Sequence, residues 1–184
     1  MGYADFKTLY GDVAKCAKCG LCNTRKNTVF GEGSLKADLM FIGEAPGAYE
    51  DETGRPFVGR AGQLLDRLLA EIGLNRKDVY IANVLKCRPP ANRDPNEEEQ
   101  SACIEYLRAQ IAFIKPKVIV CLGRIAAGVV LKRQVRMGAE HGKPFRVKNF
   151  YIVPAYHPAA LLRNENLIQT ARDDFRIIKS LLEA

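Results

Sequence analysis

Leu39-Met-Phe-Ile-Gly43 is an unbroken apolar run closed by a glycine, and it runs directly into Glu44-Ala45-Pro46-Gly47. A short apolar run bounded by turn residues reads as a strand buried on both faces, because such a strand needs no polar alternation. Outward from it the pattern repeats. Val79-Tyr-Ile-Ala-Asn83, Val118-Ile-Val-Cys-Leu122 and Phe150-Tyr-Ile-Val153 read as three more strands. Helical spacing separates them. Leu64, Leu65, Leu68, Leu69 and Ile72 form one apolar face, and Gly73 suits the stop. Ile104, Leu107, Ile111 and Ile114 form another, with Asp94-Pro95 read as its N-cap and first helical residue. Glu97, Glu98 and Glu99 then complement that helix start. A short helix follows Gly123 through Leu131. Upstream, Phe6, Leu9, Tyr10 and Val13 predict a helix ending near Cys16. A last helix is expected after Asn166, burying Leu167, Ala171, Phe175, Ile178 and Leu182. Strands alternating with helices give an α/β fold: a central four-stranded parallel sheet with helices on both faces, α/β/α.

At 184 residues, one domain spanning 1–184 is expected. An apolar fraction of 47% suffices for a core, which argues against a disordered or fibrous chain. No apolar run is long enough to span a membrane, and Met1-Gly-Tyr-Ala-Asp-Phe-Lys7 has no signal-peptide pattern. A cytoplasmic monomer is expected. Twenty-eight Lys and Arg against twenty-one Asp and Glu leave a net charge of +7, which favours a polyanionic partner such as nucleic acid.

In a parallel sheet, ligands bind beyond the carboxyl ends of the strands. That rule brings three segments together: the Gly/Pro loop after Gly43 with Glu44, the amide of Asn83, and His157 after the fourth strand. The loop from Gly43 to Gly62 lacks the Lys-Ser/Thr ending of a phosphate-binding loop. It offers instead Glu50 and Asp51 as a carboxylate pair, with Phe57 nearby, a set suited to a flat polar ring. Asn83 presents an acceptor and two donors to a hydrogen-bonding edge. His157 precedes a proline and so sits on extended backbone. His141 reads as a loop residue. In His157-Pro-Ala-Ala-Leu-Leu-Arg163, the exposed-looking Leu161 and Leu162 beside Arg163 fit a wedge that enters a DNA stack.

Six cysteines in a chain read as cytosolic point to metal or cluster ligation rather than disulfides. Cys16 and Cys19 form a Cys-x-x-Cys pair, which needs two further ligands from elsewhere. Cys87 after the second strand and Cys103 on the next helix can approach one point. Cys121 lies in the most apolar strand and reads as a buried small hydrophobe. Spacing alone does not separate zinc from iron–sulfur, and it leaves Cys22 ambiguous.

Together, Gly43-Glu-Ala-Pro-Gly-Ala-Tyr-Glu-Asp51, Gly54-Arg-Pro-Phe-Val-Gly-Arg-Ala-Gly62, Asn83 with Val84-Leu-Lys-Cys-Arg-Pro-Pro90, and His157-Pro-Ala-Ala-Leu-Leu-Arg163 resemble the family 4 uracil-DNA glycosylases, the iron–sulfur class. The resemblance covers essentially the whole chain. It implies excision of uracil from single- or double-stranded DNA by hydrolysis of the base–deoxyribose bond. It also implies a 4Fe-4S cluster held by Cys16, Cys19, Cys87 and Cys103, with Cys22 extra to the pattern and the cluster structural. Phe57 would stack on the extruded uracil, Asn83 would read its edge, and Glu50 would crowd the place of a thymine methyl. His157 and the backbone N–H groups around Glu44 and Ala45 would stabilise the departing uracil anion. Leu161, with Leu162 and Arg163, would fill the vacated stack. Ala45 stands where the best-known families place a water-positioning Asp, so leaving-group stabilisation is the expected driver, with Glu44 the nearest carboxylate. A non-catalytic iron–sulfur carrier would use the cysteines but gives no reason for Phe57, Asn83 and His157 at strand ends. Relatives that stay covalently attached to the abasic product carry a His in a basic loop, and Leu131–Met137 has none.

Overall fold

The computed structural model describes residues 2–184. In chain order the helices are α1 (Phe6–Ala14), α2 (Ala48–Thr53), α3 (Arg60–Glu71), α4 (Glu97–Ile114), α5 (Arg124–Leu131), α6 (Met137–Glu140), α7 (Pro158–Arg163) and α8 (Ile168–Glu183). The strands are β1 (Glu32–Gly33), β2 (Leu39–Gly43), β3 (Tyr80–Asn83), β4 (Val118–Leu122), β5 (Phe145–Val147) and β6 (Phe150–Ala155). They form one sheet in the order β1-β3-β2-β4-β6-β5. The four expected strands are its parallel centre. Two short antiparallel strands, β1 and β5, are added at the edges, so the sheet has six strands rather than four.

The apolar run of β2 is buried at every position. Strand geometry sends successive side chains to opposite faces. Leu39 and Phe41 therefore pack with Leu65, Leu69 and Phe175 of α3 and α8, while Met40 and Ile42 pack with Leu9, Tyr106 and Leu107 of α1 and α4. Each fully buried side chain of this size contributes about 1.5–3 kcal/mol. Register then sets the functional edge. Gly43 is paired with Asn83, and Leu122 with Ala155, so the carboxyl ends of the four central strands finish together.

Helix limits differ from expectation in two places. The start of α4 is capped by Asn96, not Asp94. The Asn96 side chain accepts from Glu99 N–H at 2.8 Å, and Glu99 Oε2 accepts from Asn96 N–H at 3.0 Å. This reciprocal box satisfies two donors at once, and Asp94 instead stands 3.8 Å from Arg124. In α8, Ala171, Phe175 and Ile178 are buried as expected, but Leu167 lies in the preceding 3-10 turn and, like Leu182, is only partly buried. No helix among the described residues is long and apolar enough to cross a membrane.

Candidate active site

A cleft of about 730 Å³ opens at the carboxyl ends of the strands. Glu44, Ala45, Glu50, Phe57, Asn83 and His157 all line it, so the three expected segments do meet. Asp94, Arg124 and Tyr156 line it too and were not anticipated.

Asn83 ends β3 and is only 2% exposed. Its Oδ1 is buried and has no hydrogen-bond partner among the described residues. A buried acceptor left unpaired costs about 1–3 kcal/mol, so it suits a site that a ligand donor completes. The strand end itself is anchored. Lys86 Nζ donates to the Asn83 carbonyl at 2.8 Å and to Gln110 Oε1 at 2.7 Å. Burial pulls the Lys86 amine down to about 7.

Phe57 covers Asn83 from across Gly43. A β-carbon on Gly43 would overlap Asn83 Oδ1 and stand 2.6 Å from Phe57 Cζ, so only glycine fits. Phe57 itself has φ 51°, a left-handed conformation that is strained for a bulky residue. Arg76 holds it there. Its Nη1 donates to the Phe57 carbonyl at 3.0 Å and its Nη2 to the Pro56 carbonyl at 2.6 Å. The same guanidinium bonds Glu32 and Asp66. Sequence reading missed Arg76 because its partners lie 10–44 residues away.

The supposed carboxylate pair is split. Glu50 accepts backbone N–H groups from Gly47 and Val58, both at 3.1 Å, and from Gly59 at 3.5 Å, which braces two loops at the cleft edge. Asp51 turns the other way, is 3% exposed, and accepts from Lys26 N–H at 2.9 Å. Successive helix residues point about 100° apart, so neighbours on α2 cannot share one target.

His157 precedes α7 and its Nδ1 accepts the Ala159 N–H at 3.0 Å. In the neutral ring the hydrogen therefore sits on Nε2. Burial, and secondarily the charge of Arg163, push the imidazole down to about 4, against an opposing effect of Glu50. The ring is neutral at physiological pH and lies 5.5 Å, centroid to centroid, from Phe57. Glu44 is half-buried, and burial followed by the charge of Asp94 raises its pKa, with Arg124 opposing. His141, expected in a loop, caps α6 and pairs through Nδ1 with Asp174 at 2.9 Å.

The exposed pair of leucines is corrected. Leu161 is 0% exposed and belongs to the core beneath α3 and α8. The helix turn that buries Pro158 buries Leu161 three residues on. Leu162 is partly exposed and Arg163 is exposed at the cleft.

Four cysteines gather behind this edge. Cys87 and Cys103 are buried, Cys16 and Cys19 half-buried. Burial pushes the free Cys87 thiol up to about 11, and the charges of Cys103 and Cys16 act on it in the same direction. Cys103 is raised likewise by burial, with Cys16 and Cys19 contributing. The four thus neighbour one another, though among the described residues no three metal-ligating groups close on a single ion. Cys22 lies in a 3-10 turn, its Sγ 3.6 Å from Asn23 Oδ1. Cys121 is buried alone within β4.

A mostly parallel sheet carrying an orphan amide, a propped aromatic ring and a neutral imidazole at one edge is an α/β fold with a polar cleft at its strand ends. Residues 30–179 match the family model described as the uracil DNA glycosylase superfamily. The chain is 48% identical to the type-4 uracil-DNA glycosylase of Saccharolobus solfataricus, across 94% of this chain and 84% of that protein. It is 46% identical to those of Archaeoglobus fulgidus (92% and 89%) and Thermotoga maritima (93% and 91%). A type-5 enzyme from Pyrobaculum aerophilum is more distant, at 34% over 70% of this chain. The chain belongs to the uracil-DNA glycosylase superfamily and, within it, to the type-4 enzymes.

Proposed function

We propose that this enzyme, an N-glycosyl hydrolase of DNA repair, excises uracil from DNA by binding the extruded base between Phe57 and Asn83 and stabilising it as it leaves. The observation that carries this reading is the unpartnered, buried Oδ1 of Asn83 in the cleft. Uracil offers a ring N–H to that acceptor and a carbonyl to the neighbouring amide N–H₂. Phe57 supplies a flat apolar face for the ring. Glu50, fixed by three backbone donors, keeps the Gly47 and Val58 loops close enough to crowd a 5-methyl group.

Cleavage leaves negative charge on uracil and positive charge on the sugar. The neutral His157 donates its Nε2–H to the departing base, and N–H groups near Glu44 and Ala45 add to it. One oriented donor of this kind is worth about 3 kcal/mol. A neutral donor suits the task because it gives up no proton to solvent before the bond breaks. Among the described residues the Glu44 carboxylate has no hydrogen-bond partner, and it is the nearest carboxylate in the cleft for the sugar cation and water. Leu162 and Arg163, rather than the buried Leu161, would occupy the stack left by the flipped base, with Leu161 supporting them from the core.

Cys16, Cys19, Cys87 and Cys103 suit a 4Fe-4S cluster. Four cysteine thiolates are the donor set that such a cluster takes, and they sit in a chain of the type-4 enzymes. Bound there, the cluster would join the turn after α1, the loop after β3 and α4, a structural role. The whole chain acts as one domain and as a monomer, on single- or double-stranded DNA. None of its six cysteines is in a disulfide, which suits the reducing cytoplasm. The deciding experiment is uracil release from a uracil-containing oligonucleotide under single-turnover conditions. Release by the parent and its loss in His157→Ala are expected; equal rates in the two would remove His157 from the reaction.

A further inference from the structure

Arg25 follows the 3-10 turn Gly20–Asn23 and reaches the cysteine group. Its Nη1 donates to Cys87 Sγ at 3.3 Å, across 62 residues of chain. The charges of Cys16 and Cys22 bear on it as well. Among the described residues, no carboxylate lies within ion-pair distance of this guanidinium. The backbone that follows is tied down. Lys26 N–H and Asn27 N–H donate to Asp51 Oδ1 at 2.9 and 3.3 Å, and Asn27 Nδ2 donates to the Asp51 carbonyl at 2.8 Å. Arg25 thus adjoins a fixed segment, and among the described residues its one side-chain hydrogen-bond partner is sulfur.

A neutral thiol is a weak acceptor, whereas a thiolate accepts strongly from a charged donor. The arrangement makes chemical sense when Cys87 carries the negative charge of a ligand. We propose that Arg25 is the charged hydrogen-bond donor to the Cys87 ligand, and that it raises the reduction potential of the iron–sulfur cluster and slows its loss. The proposal rests on reading the four cysteines as cluster ligands. Net charge and hydrogen bonds to sulfur set such potentials. Taking up one electron makes the cluster more negative, so a fixed positive charge favours the reduced state. The N–H bond also withdraws density from sulfur, which works in the same direction. Because it is donated from a segment tied to Asp51, the bond also holds the Cys87 side chain in place against release of iron.

The test uses iron-loaded parent, Arg25→Lys and Arg25→Gln proteins prepared without oxygen, with iron counted first. Dithionite supplies the electron in a mediated titration followed by the magnetic resonance signal of the reduced cluster. Release of iron to a chelator is timed separately. Arg25→Gln is expected to lower the reduction equilibrium constant about tenfold, a shift of ~59 mV for one electron. It should also release iron several-fold faster, and Arg25→Lys should fall between. These readouts would not move if Arg25 merely filled space. Unchanged midpoint and unchanged release rate in iron-loaded Arg25→Gln would overturn the proposal. A parent protein that binds zinc instead of iron would defeat the cluster reading itself, a separate and distinguishable result.

Discussion

Gly43 and Asn83 are register partners on neighbouring strands, and the Asn83 amide oxygen lies where a Gly43 β-carbon would be. The strand that organises the sheet thus also clears the space for the amide proposed to read the base. Phe57 packs against the same point. Fold and recognition meet at one α-carbon.

Gly43→Ala should therefore displace Asn83 and Phe57 together without unfolding the protein. Gly43 has an ordinary backbone conformation for any residue, so no strain is added there. A loss of roughly a hundredfold in single-turnover uracil release is expected, equal to about 2.7 kcal/mol of barrier. Thermal melting should fall by only a few degrees. Parent-like activity would show that the amide and ring have room the structure does not give them.

Leu161 and Leu162 should separate stability from strand opening. Leu161→Ala removes a fully buried side chain and should cost about 2–5 kcal/mol of stability, read by denaturant unfolding. Leu162→Ala should leave stability nearly unchanged and slow excision from paired duplex more than from single strands, because flipping is costlier there. A reversed pattern would return the wedge to Leu161.

Acid should act through His157. Its folded pKa is depressed to about 4 from an ordinary 6.5, so the folded state prefers the neutral ring. The unfolded chain takes up the proton first as pH falls. Stability from this group is thus full above pH 6.5 and is lost as pH drops from 6.5 toward 4. Protonation also removes the Nδ1 acceptor of the Ala159 N–H. Single-turnover rates should stay flat from neutrality to about pH 5 and then change. A transition near pH 6.5 would mean the ring is solvated in the working enzyme.

The central strands were legible because a strand buried on both faces is a continuous apolar run, and Leu39–Gly43 has no other sensible reading. The edge strands were not. Glu32–Gly33 and Phe145–Val147 are two and three residues long, partly exposed, and carry no periodic signal. The gathering of Glu44, Asn83 and His157 followed from strand order alone. Which of two adjacent leucines faces inward did not, since the phase of a six-residue helix is set by packing. Asp94 and Asn96 are both good caps, and only the reciprocal bond to Glu99 decides between them. Arg76, which props Phe57, was invisible because all of its partners are distant in sequence.

The most direct measurement of base reading is single-turnover excision by Asn83→Asp on matched oligonucleotides carrying uracil, cytosine or thymine. The substitution keeps an acceptor and replaces the amide donor by a second acceptor. Uracil excision should slow by ~2–4 kcal/mol of barrier, the scale of one lost oriented donor. Cytosine excision should rise from undetectable to slow but measurable, because the carboxylate accepts from the cytosine amino group. Thymine should remain excluded, since Glu50 is untouched. Uracil cleaved at the parent rate by Asn83→Asp would contradict the account, because the buried amide would then not be what reads the base.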